Sequence, residues 1–237
     1  MAYPVFYHYD PRYRIALYGQ RRMSNRTLAS FFKVDSNKIC LVKAASDATH
    51  PGFGKVVAPK YGRFNSDQWD IYADATILTE SGSCAAMFTA DCCGLVVYEA
   101  SSHIAGLAHC GRSALAADIV AELIQTMKNK AGNKTEFTAF ITGSICPTHF
   151  THDQPGAEKL IEPFDKLGEL AFGDRTKGEL NIPQIVRHQL IGLGVEPGSI
   201  THDNLCTYGS DQLFSYRQAC EEGLDKTKRN AVIVTLR

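Results

Sequence analysis

The segment Thr89-Ala90-Asp91-Cys92, followed seventeen positions later by His109 in Leu107-Ala108-His109-Cys110-Gly111, constrains this chain most. Apolar runs flank it: Ala85-Ala86-Met87-Phe88, Leu95-Val96-Val97-Tyr98, and Ile104-Ala105-Gly106-Leu107-Ala108. Both faces of each run are apolar, as in strands covered on two sides. The polar break is Glu99-Ala100-Ser101-Ser102. A tight hairpin turn between Ala100 and Ser101 makes opposed residue numbers sum to 201, so Glu99 faces Ser102 and Cys92 faces His109. Directly opposed side chains on one face have Cβ atoms about 5 Å apart. A thiolate and an imidazole at that separation share a metal ion or act as a nucleophile–base pair. Ala-Ser is a poor two-residue loop, because the favoured turns need positive φ. A one-residue slip would place the two groups on opposite faces.

A plain core is the competing reading, since free cysteine is among the most buried residue types. Asp91 weighs against it, because a carboxylate at the end of a buried strand requires a partner.

The 237 residues suffice for one large domain or two small ones. We find no internal repeat and no linker that forces a split, and we take residues 1–237 as a single domain. Net charge is zero, so nothing steers the chain toward nucleic acid or an anionic membrane. No apolar run has signal or transmembrane length, and a cytoplasmic location is expected. The eight cysteines lack CxxC spacing. They are expected as free thiols or ligands rather than disulfides.

Strands are expected at 14–19, 38–43, 55–58, 72–79, 137–141, 199–203 and 231–235. Ser24 is a plausible cap for a helix through Phe32. The segment 59–70 is polar and holds the single tryptophan, Trp69. After His109 the period changes. Leu115, Ile119, Val120, Leu123, Ile124 and Met127 recur at helical spacing, so one helix begins just after Gly111. Its first turn, with Gly111, Arg112 and Ser113, is either an anion site or a simple strand–turn–helix connection. The loop 143–153 holds Cys146, His149 and His152, and the two histidines would converge on a metal if the segment coils. Helices are expected over 157–167 and 182–193. Tyr216-Arg217 belongs either to a site or to a surface strand.

The ordered set Ala73-Asp74-Ala75, Thr89-Ala90-Asp91-Cys92, Ala108-His109-Cys110-Gly111, Cys206-Thr207-Tyr208 and Phe214-Ser215-Tyr216-Arg217 resembles the laccase-domain (YfiH-like) family. Its members are known as polyphenol oxidases and as zinc-dependent purine nucleoside phosphorylases. The resemblance implies a mixed α/β fold: a layered sandwich of mixed β-sheets with outer helices. It also implies a metal held by one cysteine and two histidines. Cys92 and His109 match two of these ligands. Ala45 falls where the third should be, and His50 is the nearest replacement. The family's Trp-Arg after the histidine is absent, with Arg112 and Ser113 in those places.

The resemblance implies phosphorolysis of adenosine or inosine, with adenosine deamination as an added activity. Zinc on Cys92, His109 and His50 would be the cofactor, with copper the less favoured metal. Gly111, Arg112 and Ser113 would bind phosphate, Arg217 would be a second anion contact, and Tyr216 would stack or donate. Asp91 would orient a ligand or act as base. Three alternatives stand beside this. One is a metal-free hydrolase with Cys92 as nucleophile and His109 as base. The second is a copper-dependent phenol oxidase, disfavoured because the eight histidines include no HxH pair. The third is a non-catalytic member that kept the fold.

Overall fold

The computed structural model describes residues 4, 6–19, 30, 33–45, 48–59, 61, 71–132 and 135–237. The helix expected from Ser24 to Phe32, and most of the segment around Trp69, lie outside these residues.

Two six-stranded mixed sheets pack face to face. The first contains β1 (Phe6–Tyr9), β2 (Tyr13–Tyr18), β12 (Asn230–Leu236), β7 (Cys84–Thr89), β3 (Ile39–Lys43) and β5 (Ile71–Tyr72), in that order. The second runs β11 (Ile200–His202), β10 (Phe137–Ile141), β8 (Cys93–Glu99), β9 (Ile104–Cys110), β6 (Ala75–Leu78) and β4 (Val56–Val57). The helices are α1 (Arg112–Ala116), α2 (Ile119–Ala131), α3 (Ile182–Gly192) and α4 (Tyr216–Glu221). The mixed α/β sandwich expected from the sequence is the fold observed.

The burial pattern explains the continuous apolar runs. All seven residues of β8 are buried. Cys93, Leu95 and Val97 join a core with α2 and α3, whereas Val96 and Tyr98 join the core between the sheets. Alternate side chains serve alternate layers, so neither face is polar. Helix α2 contributes Ile119, Val120, Leu123, Ile124 and Met127 to the outer core. Each such side chain contributes about 1.5–3 kcal/mol by burial.

Segment 89–93 carries the chain from one sheet to the other. Strand β7 pairs with β12 and β3 in the first sheet, and β8 pairs with β9 and β10 in the second. The β8–β9 hairpin corrects the sequence-based register. Glu99 pairs with Ile104 and Gly94 with His109, so opposed numbers sum to 203. The loop is Ala100–His103, with His103 at φ +55° and the Glu99 carboxylate accepting from the peptide N–H groups of Ser101 and Ser102. A four-residue loop replaces the strained two-residue one. The register moves by two in the sum, so parity survives: Cys92 and Gly94 share a face, and His109 looks out on the same side.

Other expectations are corrected by backbone chemistry. The helix after Gly111 is two helices, broken at Asp118, which lies in the left-handed region at φ +58°. Aspartate tolerates that conformation better than most residues. Over 157–171 the chain forms 3₁₀ turns rather than an α-helix, with Pro163 at the start of the second and Gly168 breaking it at φ +57°. Tyr216-Arg217 opens α4, capped by the Ser215 side chain on the N–H of Gln218, and is not a surface strand.

The sheets meet closely at Gly94. A Cβ there would lie 2.8 Å from Val232 Cγ2 and 3.0 Å from its Cγ1. Gly94→Ala is therefore expected to cost about 1–3 kcal/mol in denaturant unfolding. Val232→Ala in the same chain should recover part of that loss. An additive double variant would contradict the packing described.

Candidate metal and catalytic site

Cys92 and His109 converge over Gly111. A Cβ built on Gly111 would lie 2.7 Å from His109 Cε1, 3.1 Å from His109 Nε2 and 3.1 Å from Cys92 Sγ. The sulfur and the imidazole thus share the space that a side chain at 111 would fill. His109 is fixed from behind. Its Nδ1 lies 3.2 Å from Asp74 Oδ1, and its peptide N–H donates to the Asp74 carbonyl at 2.7 Å. Asp74 is fully buried, and its Oδ2 accepts from the N–H of Gly54 at 2.8 Å. This places the Nδ1 proton on the Asp74 side and turns Nε2 toward Cys92, the arrangement that orients a metal-ligating histidine. Burial alone would lower the His109 pKa. The Cys92 sulfur and the Asp74 carboxylate outweigh it and raise the value to about 10.

Asp91 sets where Cys92 stands. It sits at φ +77°, with its carboxylate spent on two donors. Oδ1 accepts from Thr207 Oγ1 at 2.7 Å, and Oδ2 accepts from the Arg217 N–H at 2.7 Å. Its carbonyl accepts from the N–H of Ile145 at 2.8 Å. These contacts join the crossover to two loops and make Asp91 a positioning group.

Two arginines are held by the neighbouring loop 149–152. Arg112 donates through Nη1 to His152 Nε2 at 2.8 Å, and His152 Nδ1 lies 3.0 Å from the Gly178 carbonyl. Burial, with Arg112 and Arg217 nearby, holds the His152 pKa below its ordinary value. A neutral ring donating from Nδ1 and accepting at Nε2 suits both contacts. Burial lowers the Arg112 pKa, with the nearby Cys92 sulfur acting in the opposite sense. Arg217 Nη1 and Nη2 donate to the carbonyls of His149 and Thr151 at 3.1 and 3.3 Å.

The remaining sequence-derived candidates are placed less centrally. His50 does not join Cys92 and His109. Its Nδ1 accepts from the Gly52 N–H at 3.1 Å, and its ring centroid lies 5.4 Å from that of Tyr72. Ala45, the position matched to the third histidine, is buried. Tyr216 is 45% exposed, with the Arg229 guanidinium carbon 6.0 Å from its ring centroid. Ser113 is exposed. His149 and His152 do not converge either, because His152 turns to Arg112 and Gly178.

Among the described residues, one group of three His, Cys or carboxylate ligands comes together: Cys146, His149 and Cys206, with ligand atoms within 4.8 Å of one another. Cys146 and Cys206 are joined as a disulfide, which corrects the expectation of free thiols throughout. The sequence reading gave Asp74 and Thr207 no role. A charged residue at 74 between the apolar runs 71–72 and 75–78 was the available signal for the first.

Cys92 and His109 are a soft thiolate and an imidazole with a carboxylate behind, a donor set suited to zinc. They make two of the three protein donors that a catalytic zinc ordinarily takes. Among the described residues no third ligand completes the set.

Comparisons with known proteins bear on this geometry. The family model described as multi-copper polyphenol oxidoreductase laccase matches residues 17–237. A purine nucleoside phosphorylase of Campylobacter jejuni is 28% identical over 167 residues, 70% of this chain and 67% of that protein. One of Bacteroides thetaiotaomicron is 28% identical over 153 residues, 61% of this chain and 55% of that protein. The matched stretch thus spans between just over half and about two thirds of these relatives. The crystal structure of the hypothetical protein YfiH of Bacillus licheniformis superposes with a TM-score of 0.74 at 21% identity, covering 90% of this chain and 79% of that one. That likeness shows the fold.

Two substitutions test the site as built. Gly111 has φ −82°, which alanine adopts freely, so Gly111→Ala acts by crowding His109 and Cys92. Zinc affinity, measured by competition with a chromophoric chelator, should fall about tenfold or more, and the thermal midpoint should fall as well, because Asp74 holds the ring in the path of the new methyl. Asp91→Ala removes two buried acceptor contacts and leaves a residue ill suited to positive φ. It should lower unfolding stability by about 2–4 kcal/mol.

Proposed function

The chain belongs to the multi-copper polyphenol oxidoreductase laccase family, and from that premise we propose that it is a purine nucleoside phosphorylase, converting adenosine or inosine plus phosphate to free base and ribose 1-phosphate. The names of the curated relatives support this reading. The observation that carries it is the convergence of Cys92 and His109 over Gly111, with Arg112 the next residue in the chain.

In phosphorolysis a phosphate oxygen bonds to ribose C1′ as the C1′–N9 bond breaks, and the departing base takes up a proton. A zinc ion held by Cys92 and His109 would supply an electrophile at that centre. Asp74 holds the His109 ring so that Nε2 faces the reacting space. Arg112, whose first-turn neighbours are Gly111 and Ser113, binds the phosphate, and His152 keeps its guanidinium aimed. Helix α1 has only five residues, so the guanidinium rather than a helix dipole carries anion binding. Arg217 braces the 149–151 loop and serves as a second anion contact through donors the two carbonyls do not use. Asp91 positions Cys92. Tyr216 meets substrate only at the exposed rim. Adenosine deamination, in which water replaces the amino group and ammonia leaves, belongs to the same proposal.

One observation favours a second reading. With two protein ligands in reach of each other and no third among the described residues, Cys92 as nucleophile and His109 as base make a pair suited to a metal-free hydrolase. The family's copper-oxidase description finds less support, because the chain has no HxH pair. We also read residues 1–237 as one domain of this family, acting on small molecules in the cytoplasm. Zero net charge supports a small-molecule substrate rather than nucleic acid.

A chromatographic product assay tests the proposal. Protein supplied with zinc is incubated with adenosine or inosine in phosphate buffer, beside its Cys92→Ala variant. Free base should form with the parent and drop about 100-fold or more in the variant, a loss of about 3 kcal/mol of transition-state stabilisation. Thiol alkylation that stops an ester hydrolysis while zinc removal does not would select the hydrolase. No product from folded parent protein under either condition would sink both and leave a non-catalytic member.

A further inference from the structure

The Cys146–His149–Cys206 cluster is separate from the Cys92–His109 pair and takes no part in the chemistry proposed above. Its three residues come from two loops. Cys146 precedes a 3₁₀ turn, Pro147–His149, and the His149 N–H donates to the Cys146 carbonyl at 3.0 Å. Cys206 is held beside it by a bridge to Ser144, with the Thr207 N–H on the Ser144 carbonyl and the Ser144 N–H on that of Leu205. The Cys146 N–H donates to Cys206 Sγ at 3.2 Å. The His149 ring stacks on Tyr208 with centroids 4.1 Å apart and planes 11° apart. This aims Nδ1 at both sulfurs, 3.3 Å from Cys146 Sγ and 4.0 Å from Cys206 Sγ.

A structural disulfide has no need of an imidazole nitrogen on both its sulfurs. A tetrahedral metal does. With Zn–S near 2.3 Å and Zn–N near 2.0–2.1 Å, sulfur and nitrogen ligands stand about 3.6 Å apart, and two sulfurs about 3.8 Å. The two observed nitrogen–sulfur separations straddle the first figure. Only the sulfurs must part, and reduction is what parts them. We propose that Cys146, His149 and Cys206 form a redox-gated site for a thiophilic divalent metal such as zinc, filled when the two cysteines are reduced and emptied when they are joined.

The exchange balances with a small dithiol as reductant. One thiolate of the dithiol attacks a sulfur of the Cys146–Cys206 bond, and its second thiol resolves the mixed disulfide. Two electrons and two protons pass to the cysteines, and the dithiol leaves as its own disulfide. The metal then replaces the two thiol protons and takes His149 Nδ1 as third ligand, with water as the fourth. The loop that would respond also carries the carbonyls of His149 and Thr151 that hold Arg217, and His152 that holds Arg112.

The test uses full-length Cys92→Ala protein, which lacks the thiolate of the other site. Samples are reduced with a phosphine or oxidised, freed of reagent, and titrated anaerobically with Co²⁺. Thiolate-to-cobalt charge-transfer absorption reports binding. Thiols are counted in denaturant on the same samples. The reduced sample should take about one cobalt per chain with thiolate absorption. The oxidised sample should show two fewer thiols and lose that absorption. Cys92→Ala/Cys206→Ser and Cys92→Ala/His149→Ala should each bind at least about tenfold more weakly when reduced. The oxidised and reduced samples share one sequence, so a folding defect in a variant cannot mimic the result. Equal thiol counts in the two samples, equal cobalt uptake by them, or no thiolate absorption in the reduced one would each overturn the proposal.

Discussion

The architecture around the site depends on Asp91 being held in a left-handed conformation where the chain passes from one sheet to the other. That backbone state costs about 1–2 kcal/mol for a residue other than glycine. The Thr207 hydroxyl and the Arg217 N–H on its carboxylate, and the Ile145 N–H on its carbonyl, offset the cost. Hydrogen bonds to a charged group contribute about 1.5–3 kcal/mol each. The crossover is thus over-determined, and Cys92 is delivered to one fixed place. His109 reaches it from the neighbouring strand because strand parity allows nothing else.

This clamp also ties distant loops into one unit. Thr207 follows Cys206, Ile145 precedes Cys146, and Arg217 reaches back to the carbonyls of His149 and Thr151. Every loop that touches Asp91 therefore also touches the second sulfur cluster or its neighbours. Arg112 joins from the other side through His152. Charge, backbone strain and sulfur chemistry meet within one small region, while the two sheets beneath supply rigidity.

The sequence made the central strands legible because they are short apolar runs bounded by turn formers, and because layers on both sides force apolar residues onto both faces, whereas the edge strand β1, with the sequence Phe-Tyr-His-Tyr, lacks that pattern. It made Cys92 and His109 legible through parity, which survived even though the hairpin loop was assigned two residues too few. What it hid was non-local. A charge at position 74 between apolar runs marks Asp74 as unusual but does not say that it stands behind His109, since that contact spans two strands. Nothing near Cys146 announces Cys206, sixty positions away. The break at Asp118 and the 3₁₀ path of 157–171 escaped because hydrophobic spacing reports which residues are buried and not which dihedral each adopts. His50 shows the opposite failure. Proximity in sequence suggested a ligand, but the tight turn at Gly52 uses its Nδ1 locally.

Strand β12 lies between β2 and β7, with Thr235 opposite Arg14 and Asn230 opposite Thr89. The centre of the first sheet is thus knitted from segments far apart in the chain. Strand β12 reaches β2 and β7 only across long stretches of chain, and that loop-closure entropy must be met before those pairings form. The β1–β2 pair, with Tyr9 opposite Arg14, and the β8–β9 pair, with Glu99 opposite Ile104, each close over four residues. Each sheet therefore has one local hairpin, at the edge of the first and in the middle of the second. The Asp91 crossover lies where β7, whose partners β3 and β12 are both distant in the chain, hands over to the local β8–β9 hairpin, so the site sits at the joint between long-range and short-range pairing.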